Sequence, residues 1–257
     1  MLQHLSRKGS VAMNNWGGIM KLLKRGACVV GLLGLAGAAQ AGVSSTWTIT
    51  NDYDFRGNSQ SATDPALQGS LDYAHDSGWY IGAWASNVDF HANGEPVDYE
   101  IDLYTGFTKT LESGVTWDAG IVGYTYDESD ANYLEAYGSV AKDWFKGKLW
   151  YSPDFGGDTT SGDTEAWYLE GNGTFPLPAG FSLLAHVGYS TGGYWDDVAG
   201  DDLLDYSIGV GYSINKFNLA LKWVDTDSDA PEITSDEFNN EGRVILTIAT
   251  TFPWAKE

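Results

Sequence analysis

Between residues 44 and 252, apolar and polar side chains alternate in twelve short segments: 44–55, 67–74, 79–88, 97–109, 115–124, 133–141, 145–151, 166–175, 181–189, 204–212, 217–224 and 241–252. A period of two sends successive side chains to opposite faces of a strand. Most segments run near the roughly 9–11 residues that a tilted strand needs to cross a bilayer. In the fourth, Val97, Tyr99, Ile101 and Leu103 alternate with Asp98, Glu100, Asp102 and Tyr104. One face is expected to meet hydrocarbon and the other water. The ninth (Phe181, Leu183, Ala185, Val187, Tyr189) and tenth (Leu204, Tyr206, Ile208, Val210, Tyr212) repeat the comb, and the last ends Val244, Leu246, Ile248, Thr250, Phe252.

The connections switch between a few turn residues and a long polar stretch. His75-Asp76-Ser77-Gly78, residues 111–114, Lys142-Asp143, residues 176–180 and residues 213–216 are short and rich in turn formers. Residues 56–66, 89–96, 125–132, 152–165, 190–203 and 225–240 are long. This rhythm predicts an all-β fold, an antiparallel up-and-down transmembrane β-barrel of twelve strands. Short turns would face the periplasm, long acidic loops the outside, and both termini the periplasm. Aromatic rings gather at both ends of the segments, as they do at the two interfaces of a bilayer. Tyr73, Trp79, Phe107, Trp117, Trp144, Phe175, Phe181, Tyr212, Phe217 and Phe252 lie near the short turns. Tyr53, Phe55, Phe90, Tyr124, Tyr133, Trp150, Trp167, Tyr189 and Trp223 lie near the long loops. A soluble sandwich is the alternative, but it has no reason to sort rings to strand ends.

Composition adds the compartment. Lys21, Lys24 and Arg25 precede an apolar run ending in Ala39-Gln40-Ala41, which reads as a signal peptide over residues 1–41, with Met20 as the expected true start. The barrel domain is then 42–257. The only cysteine, Cys28, leaves with that peptide, so neither a disulfide nor a thiolate site is expected. Cleavage also removes five of the 14 basic residues and none of the 35 acidic ones, leaving 9 against 35 and a net charge of −26. Nucleic acid is excluded as a partner on that balance. The six long loops hold 20 acidic residues and one basic residue, Arg56.

The stretch Tyr53-Asp54-Phe55-Arg56-Gly57-Asn58-Ser59-Gln60-Ser61, followed by Pro65-Ala66-Leu67-Gln68-Gly69, resembles the TorF family of porins. Further matches are Trp84-Ala85-Ser86-Asn87-Val88-Asp89-Phe90, Glu100-Ile101-Asp102-Leu103-Tyr104, Tyr151-Ser152-Pro153-Asp154-Phe155 and Val224-Asp225-Thr226-Asp227. The resemblance spans the chain after residue 41 and implies a channel-like outer-membrane barrel, with no substrate and no functional residue attached.

If the apolar comb faces lipid, Asp52, Asp54, Asp72, Asp98, Glu100, Asp102, Asp118, Glu135, Glu170 and Asp205 turn inward with Lys146, Lys148, Lys222, Arg243 and His186. A water-filled interior so lined would favour cations, and a small cationic or zwitterionic solute is the expected cargo. The same charges could brace a filled barrel instead. Arg243 is expected beside Asp52 and Asp54 once the barrel closes. Asp225, Asp227 and Asp229 have the spacing of a calcium loop, but Ala230 stands where that loop needs glycine. Loose divalent bridging to lipopolysaccharide is the more modest expectation for the acidic loops, alongside contact with outer-membrane lipid.

Two other classes compete. One is a non-conducting scaffold whose acidic loops act as an adhesin or receptor. The other is a lipid hydrolase, for which the chain after residue 41 offers only His75, His91 and His186, none within a G-x-S-x-G motif. No catalytic residue and no cofactor is expected, and the sequence leaves the oligomeric state open.

Overall fold

The computed structural model describes residues 42–92, 94–159, 164–228 and 236–254. Twelve antiparallel strands form one closed barrel: β1 (Gly42–Thr50), β2 (Ala66–Ala74), β3 (Trp79–Ala92), β4 (Glu95–Thr110), β5 (Thr116–Tyr126), β6 (Tyr133–Lys142), β7 (Phe145–Ser152), β8 (Ala166–Pro176), β9 (Phe181–Thr191), β10 (Leu203–Ile214), β11 (Phe217–Thr226) and β12 (Arg243–Phe252). Each strand pairs with its neighbours in sequence. The first and last then pair with each other, from Ser45 opposite Phe252 to Thr50 opposite Thr247, so no edge is left open. The short turns work through residues that tolerate a left-handed backbone, such as Gly78 (φ 97°), Asp143 (φ 54°) and Asn215 (φ 54°).

Side chains sort by face as the alternation predicts. Leu103 (62% exposed), Leu134 and Leu169 point outward, whereas Val122 (0%) and Ile245 (2%) point inward. The outward set, which also includes Ile49, Leu71, Ile81, Ile121, Ile208, Leu221 and Leu246, wraps the whole ring. Hydrocarbon solvates such a belt. Water would penalise it at about 25 cal/mol per Å². At the short-turn rim, rings pair across strands: Trp144 with Phe175 (4.5 Å between centroids), Phe181 with Tyr212 (4.6 Å) and Phe107 with Trp117 (5.6 Å). At the long-loop rim Trp167, Tyr189 and Trp223 are exposed in the same way.

Three expectations need correction. The first strand ends at Thr50 rather than at residue 55, because Asp54–Phe55 pairs with Asn58–Ser59 in a separate two-stranded hairpin. Several rings assigned to the outer aromatic girdle are inside: Tyr53, Phe90, Tyr124, Tyr133 and Trp150 are all buried. The alternation along β4 also slips. The pairing with β3 shifts between Asn87 and Phe90, and on the other edge Asp127 Oδ1 accepts the N–H groups of both Asp98 and Tyr99, each at 2.9 Å. A bulge of this kind turns the strand over. Val97 therefore faces inward at 1% exposure, and Asp98 is exposed. The signal peptide and Met20 lie outside the described residues.

Candidate functional site: the barrel interior

The chain leaves the barrel wall just after β1. Asn51 continues the ladder to β12 with its side chain, donating from Nδ2 to the Val244 carbonyl (3.1 Å) and accepting the Leu246 N–H on Oδ1 (2.6 Å). That frees the following backbone to turn into the lumen. A buried loop must satisfy its own polar groups, and short polar side chains do so here. Ser59 Oγ donates to Asp52 Oδ1 (2.5 Å) and accepts from the Thr63 N–H (2.9 Å). Ser61 Oγ accepts from the Tyr53 N–H (2.9 Å) and donates to the Asp64 carbonyl (2.7 Å). At the hairpin tip Arg56 (φ 52°) and Gly57 (φ 85°) both have positive φ, the two-residue type I′ geometry that matches strand twist. Gly57 is required for a second reason. A Cβ there would collide with Thr226 Cγ2 and come within 2.9 Å of Asp205 Cβ.

Arg56 reaches across the barrel from the β1 side to β6. Its Nη2 donates to Glu135 Oε2 at 2.6 Å, with the two side chains 6% and 1% exposed, and Tyr124 Oη donates to the same oxygen at 2.8 Å. The guanidinium lies 4.4 Å from the Tyr168 ring centroid, 4.7 Å from that of Phe55 and 5.4 Å from that of Trp150. Burial alone would favour its neutral form. The Glu135 carboxylate outweighs that effect and keeps it charged, raising its pKa. On the near side Arg243 holds the hairpin root: Nε to Asp52 Oδ2 (2.5 Å), Nη2 to Asp54 Oδ1 (2.5 Å) and Nη1 to the Gly57 carbonyl (2.9 Å). Burial lifts the Asp54 carboxyl above its ordinary range, with Arg243 and then Lys222 pulling the other way.

The interior is therefore divided. Tyr80, Tyr104, Val122, Tyr124, Tyr133, Tyr137, Trp150 and Tyr168 fill the side lined by β3 to β8 as a buried aromatic cluster. Alongside it lies a cavity of about 410 Å³, bounded by Asp54–Gly57 of the hairpin and reaching Gly114 and Lys142–Lys146 at the short-turn end. Its wall between β7 and β11 carries Lys146, Glu170, Asn172, His186, Asp205, Ser207 and Lys222. The hairpin thus covers this space from the long-loop side.

A family model described as "Bacterial protein of unknown function (Gcw_chp)" matches residues 36–252. The chain belongs to the Gcw_chp family. No curated protein matches it in sequence. Among solved structures, it is similar to the KdgM porin, with 8% identity, a TM-score of 0.52, and coverage of 83% of this chain and 99% of that one. It is also similar to the COG4313 outer membrane channel from Pseudomonas putida F1, with 12% identity, a TM-score of 0.50, and coverage of 85% and 98%. At these identities the likeness establishes a shared barrel fold.

In this Gcw_chp barrel the residues expected to line a lumen fall into four groups. Lys146, Glu170, His186, Asp205, Lys222 and Asp102 border the cavity. Glu135 and Arg243, with Asp52 and Asp54, hold the hairpin. Asp72, Asp118, Glu100 and Lys148 belong to the filled side: Asp72 accepts from Tyr104 Oη and from Ser70 Oγ (2.7 Å), and Asp118 accepts from Tyr80 Oη (2.7 Å). Glu100 is buried, accepting from Tyr126 Oη (3.2 Å), and Lys148 Nζ sits 3.6 and 3.5 Å from the ring centroids of Tyr137 and Trp150. Asp98 stands apart, turned outward by the bulge.

Arg56 and its aromatic ring partners were missed as interior residues. The one available signal was its isolation as the sole cation among 20 loop carboxylates. Asp225 and Asp227 do not converge on a common point. Asp225 accepts from Tyr206 Oη (3.2 Å), Asp227 accepts the Leu204 N–H (2.8 Å), and Asp229 lies outside the described residues. Among the described residues no group of three or more His, Cys, Asp or Glu is arranged to hold a metal ion. His75 bonds Ser77 within an exposed turn (2.9 Å), and His91 meets Glu237 (2.9 Å).

Proposed function

We propose that the protein is an outer-membrane channel for passive diffusion of small hydrophilic solutes, zwitterionic or cationic. The observation that carries this reading is a closed barrel with an apolar outside and a charged cavity of about 410 Å³ inside. The resemblance of residues 53–61 to TorF porins supports the same reading. So do the 20 carboxylates of the long loops, which concentrate cations and the ammonium ends of zwitterions at the outer mouth. Export by a signal peptide over residues 1–41 and contact with lipopolysaccharide belong to the same proposal.

The test is conductance of folded protein in planar bilayers, with reversal potentials under a salt gradient. Discrete steps with a cation-leaning reversal potential are expected. Folded protein that gives no steps, even when the hairpin is loosened, would refute a channel. A second reading is favoured by one observation, the hairpin that crosses the lumen. A barrel stoppered this way serves equally as a rigid support for acidic loops acting as an adhesin or receptor. Truncating loops 190–203 and 225–240 separates the two, since a channel keeps its conductance and a scaffold loses surface binding. Lipid hydrolysis is the remaining class, tested by ester turnover in a His186→Ala variant.

A further inference from the structure

Two buried carboxyl groups take no part in the ion pairs that hold the hairpin. Glu100 and Asp102 lie two residues apart on the inward face of β4, each 1% exposed. Among the described residues neither forms an ion pair. Glu100 Oε1 accepts from Tyr126 Oη (3.2 Å), but Glu100 Oε2 and Asp102 Oδ1 have no hydrogen-bond donor, and less than 1 Å² of either oxygen is open to water. The two carboxyl groups lie within hydrogen-bonding reach of each other. Tyr53 Oη, also buried and unpartnered, lies beside Glu100. Two ionised carboxylates are ill suited to such a place, because each is stripped of water and repels the other.

The surrounding elements bring no free cation to the pair. On β3 its cross-strand partners are Ser86, whose Oγ donates to the Asn87 carbonyl (2.9 Å), and Trp84. On β5 they are Tyr126 and Tyr124, the second with its hydroxyl on Glu135. Tyr133 and Glu135 face the pair from β6, and Tyr104 from β4 itself, with its hydroxyl on Asp72. The hairpin segment contributes Tyr53 and Arg56, whose guanidinium is bonded to Glu135. A hydrated ion has no room beside oxygens this enclosed. A proton needs none, and it turns two repelling acceptors into a donor and an acceptor.

We propose that Glu100 and Asp102 bind one proton between them, and that this proton couples the seating of the hairpin to pH. One carboxyl oxygen carries the hydrogen and the other carboxylate accepts it, so the pair bears one negative charge rather than two. The link to the hairpin is Tyr53, whose ring packs edge-on against Trp84 (5.4 Å between centroids) and whose chain neighbours Asp52 and Asp54 are held by Arg243. Asp102 also borders the cavity that Phe55 and Arg56 of the hairpin cover. Lifting the hairpin admits water, lets the second carboxyl ionise and sends its proton to solvent. The seated form thus binds more protons than the unseated one. Seating is firm at low pH and weakens as pH rises, by at most about tenfold per pH unit for one proton. Neither the proton nor its link to the hairpin depends on the channel reading.

Two measurements on full-length protein folded in detergent micelles test this. The infrared carbonyl band of a protonated carboxyl, identified by its shift in heavy water, should be present at neutral pH. The same component should vanish in E100Q and in D102N, because an amide N–H then stands where the proton was, and both variants should keep heat-modifiable migration. No such component in the parent, or its survival in either variant, would overturn the shared proton. For the hairpin, maleimide labelling of Asn58→Cys is compared with and without E100Q at each pH, which cancels the chemistry of the thiol itself. The ratio should start near unity and climb as pH rises, since the amide keeps the pair at one charge. In the parent the infrared band should fade over the pH range in which labelling accelerates, a comparison that needs no substitution in the pair. A labelling ratio independent of pH, or a band that fades with no change in labelling, would overturn the link to the hairpin.

Discussion

Replacing Glu135 by glutamine tests how far the seating of the hairpin depends on its ion pair across the lumen. The substitution keeps the shape of the side chain and removes the charge opposite Arg56. Both side chains are almost fully buried, 6% and 1% exposed at 2.6 Å, so the guanidinium is left without a counter-charge in a poorly hydrated site. Breaking a buried pair from one side costs about 3–5 kcal/mol. Glutamine still offers a carbonyl oxygen and the rings around Arg56 remain, so the lower bound is the one to use. If about 3 kcal/mol falls on seating the hairpin, the ratio of unseated to seated forms rises by more than about a hundredfold. Asn58→Cys supplies a reporter on the second arm, because the described residues contain no cysteine. Maleimide labelling should accelerate in E135Q, and mean conductance in bilayers should rise. R56M/E135M, which removes both charges, should return labelling toward the parent rate, since an apolar replacement leaves nothing uncompensated. Labelling and conductance unchanged in E135Q would refute the reasoning.

Three further outcomes are expected. Gly57→Ala should unseat the hairpin as E135Q does, because a methyl group meets Thr226 and Asp205 at a position with φ 85°. The check is the same labelling reporter, and unchanged labelling would count against close packing. Arg243→Met removes three bonds to Asp52, Asp54 and Gly57, and should loosen the hairpin root while leaving the β1–β12 seam intact, read by limited proteolysis at residues 51–65 and by retained heat-modifiable migration. Leu103→Arg, on the lipid face, should lower folding stability in bilayers by about 2–4 kcal/mol if it lies near the midplane, whereas Asp98→Arg, exposed near the long-loop end, should cost about 0–1 kcal/mol. Equal costs at the two positions in a urea titration would mean that the outward face of β4 is assigned wrongly.

The wall of the barrel was legible because its physics is local. A period of two, with glycine, aspartate or asparagine at the turns, is enough to place strands such as Phe181–Thr191 and Phe217–Thr226 to within two residues at each end. The slip at Asp98 was hidden because its cause is remote: the acceptor for both N–H groups is Asp127, on the far side of a hairpin. The hairpin from Asp54 to Ser59 was read as strand and surface loop for a related reason. The asparagines, serines and aspartates of residues 51–64 look hydrated, yet they are polar so that a backbone removed from water keeps its partners. Alternation sends the interior charges inward, but the partner each one meets is set by segments far apart in sequence. Glu170 meets Trp150 and Asn172, Asp205 meets His186 and Tyr168, and Asp54 meets Arg243, all contacts between strands or loops that alternation along one segment does not specify.

Arg243 belongs to the last strand, and its three bonds reach back to the first loop of the barrel. Until β12 docks against β1, the root of the hairpin lacks these three bonds. Closing the cylinder and fitting its stopper are thus one event. A half-built cylinder has an open seam and no plug, but once its wall is whole the hole through the middle is already dressed.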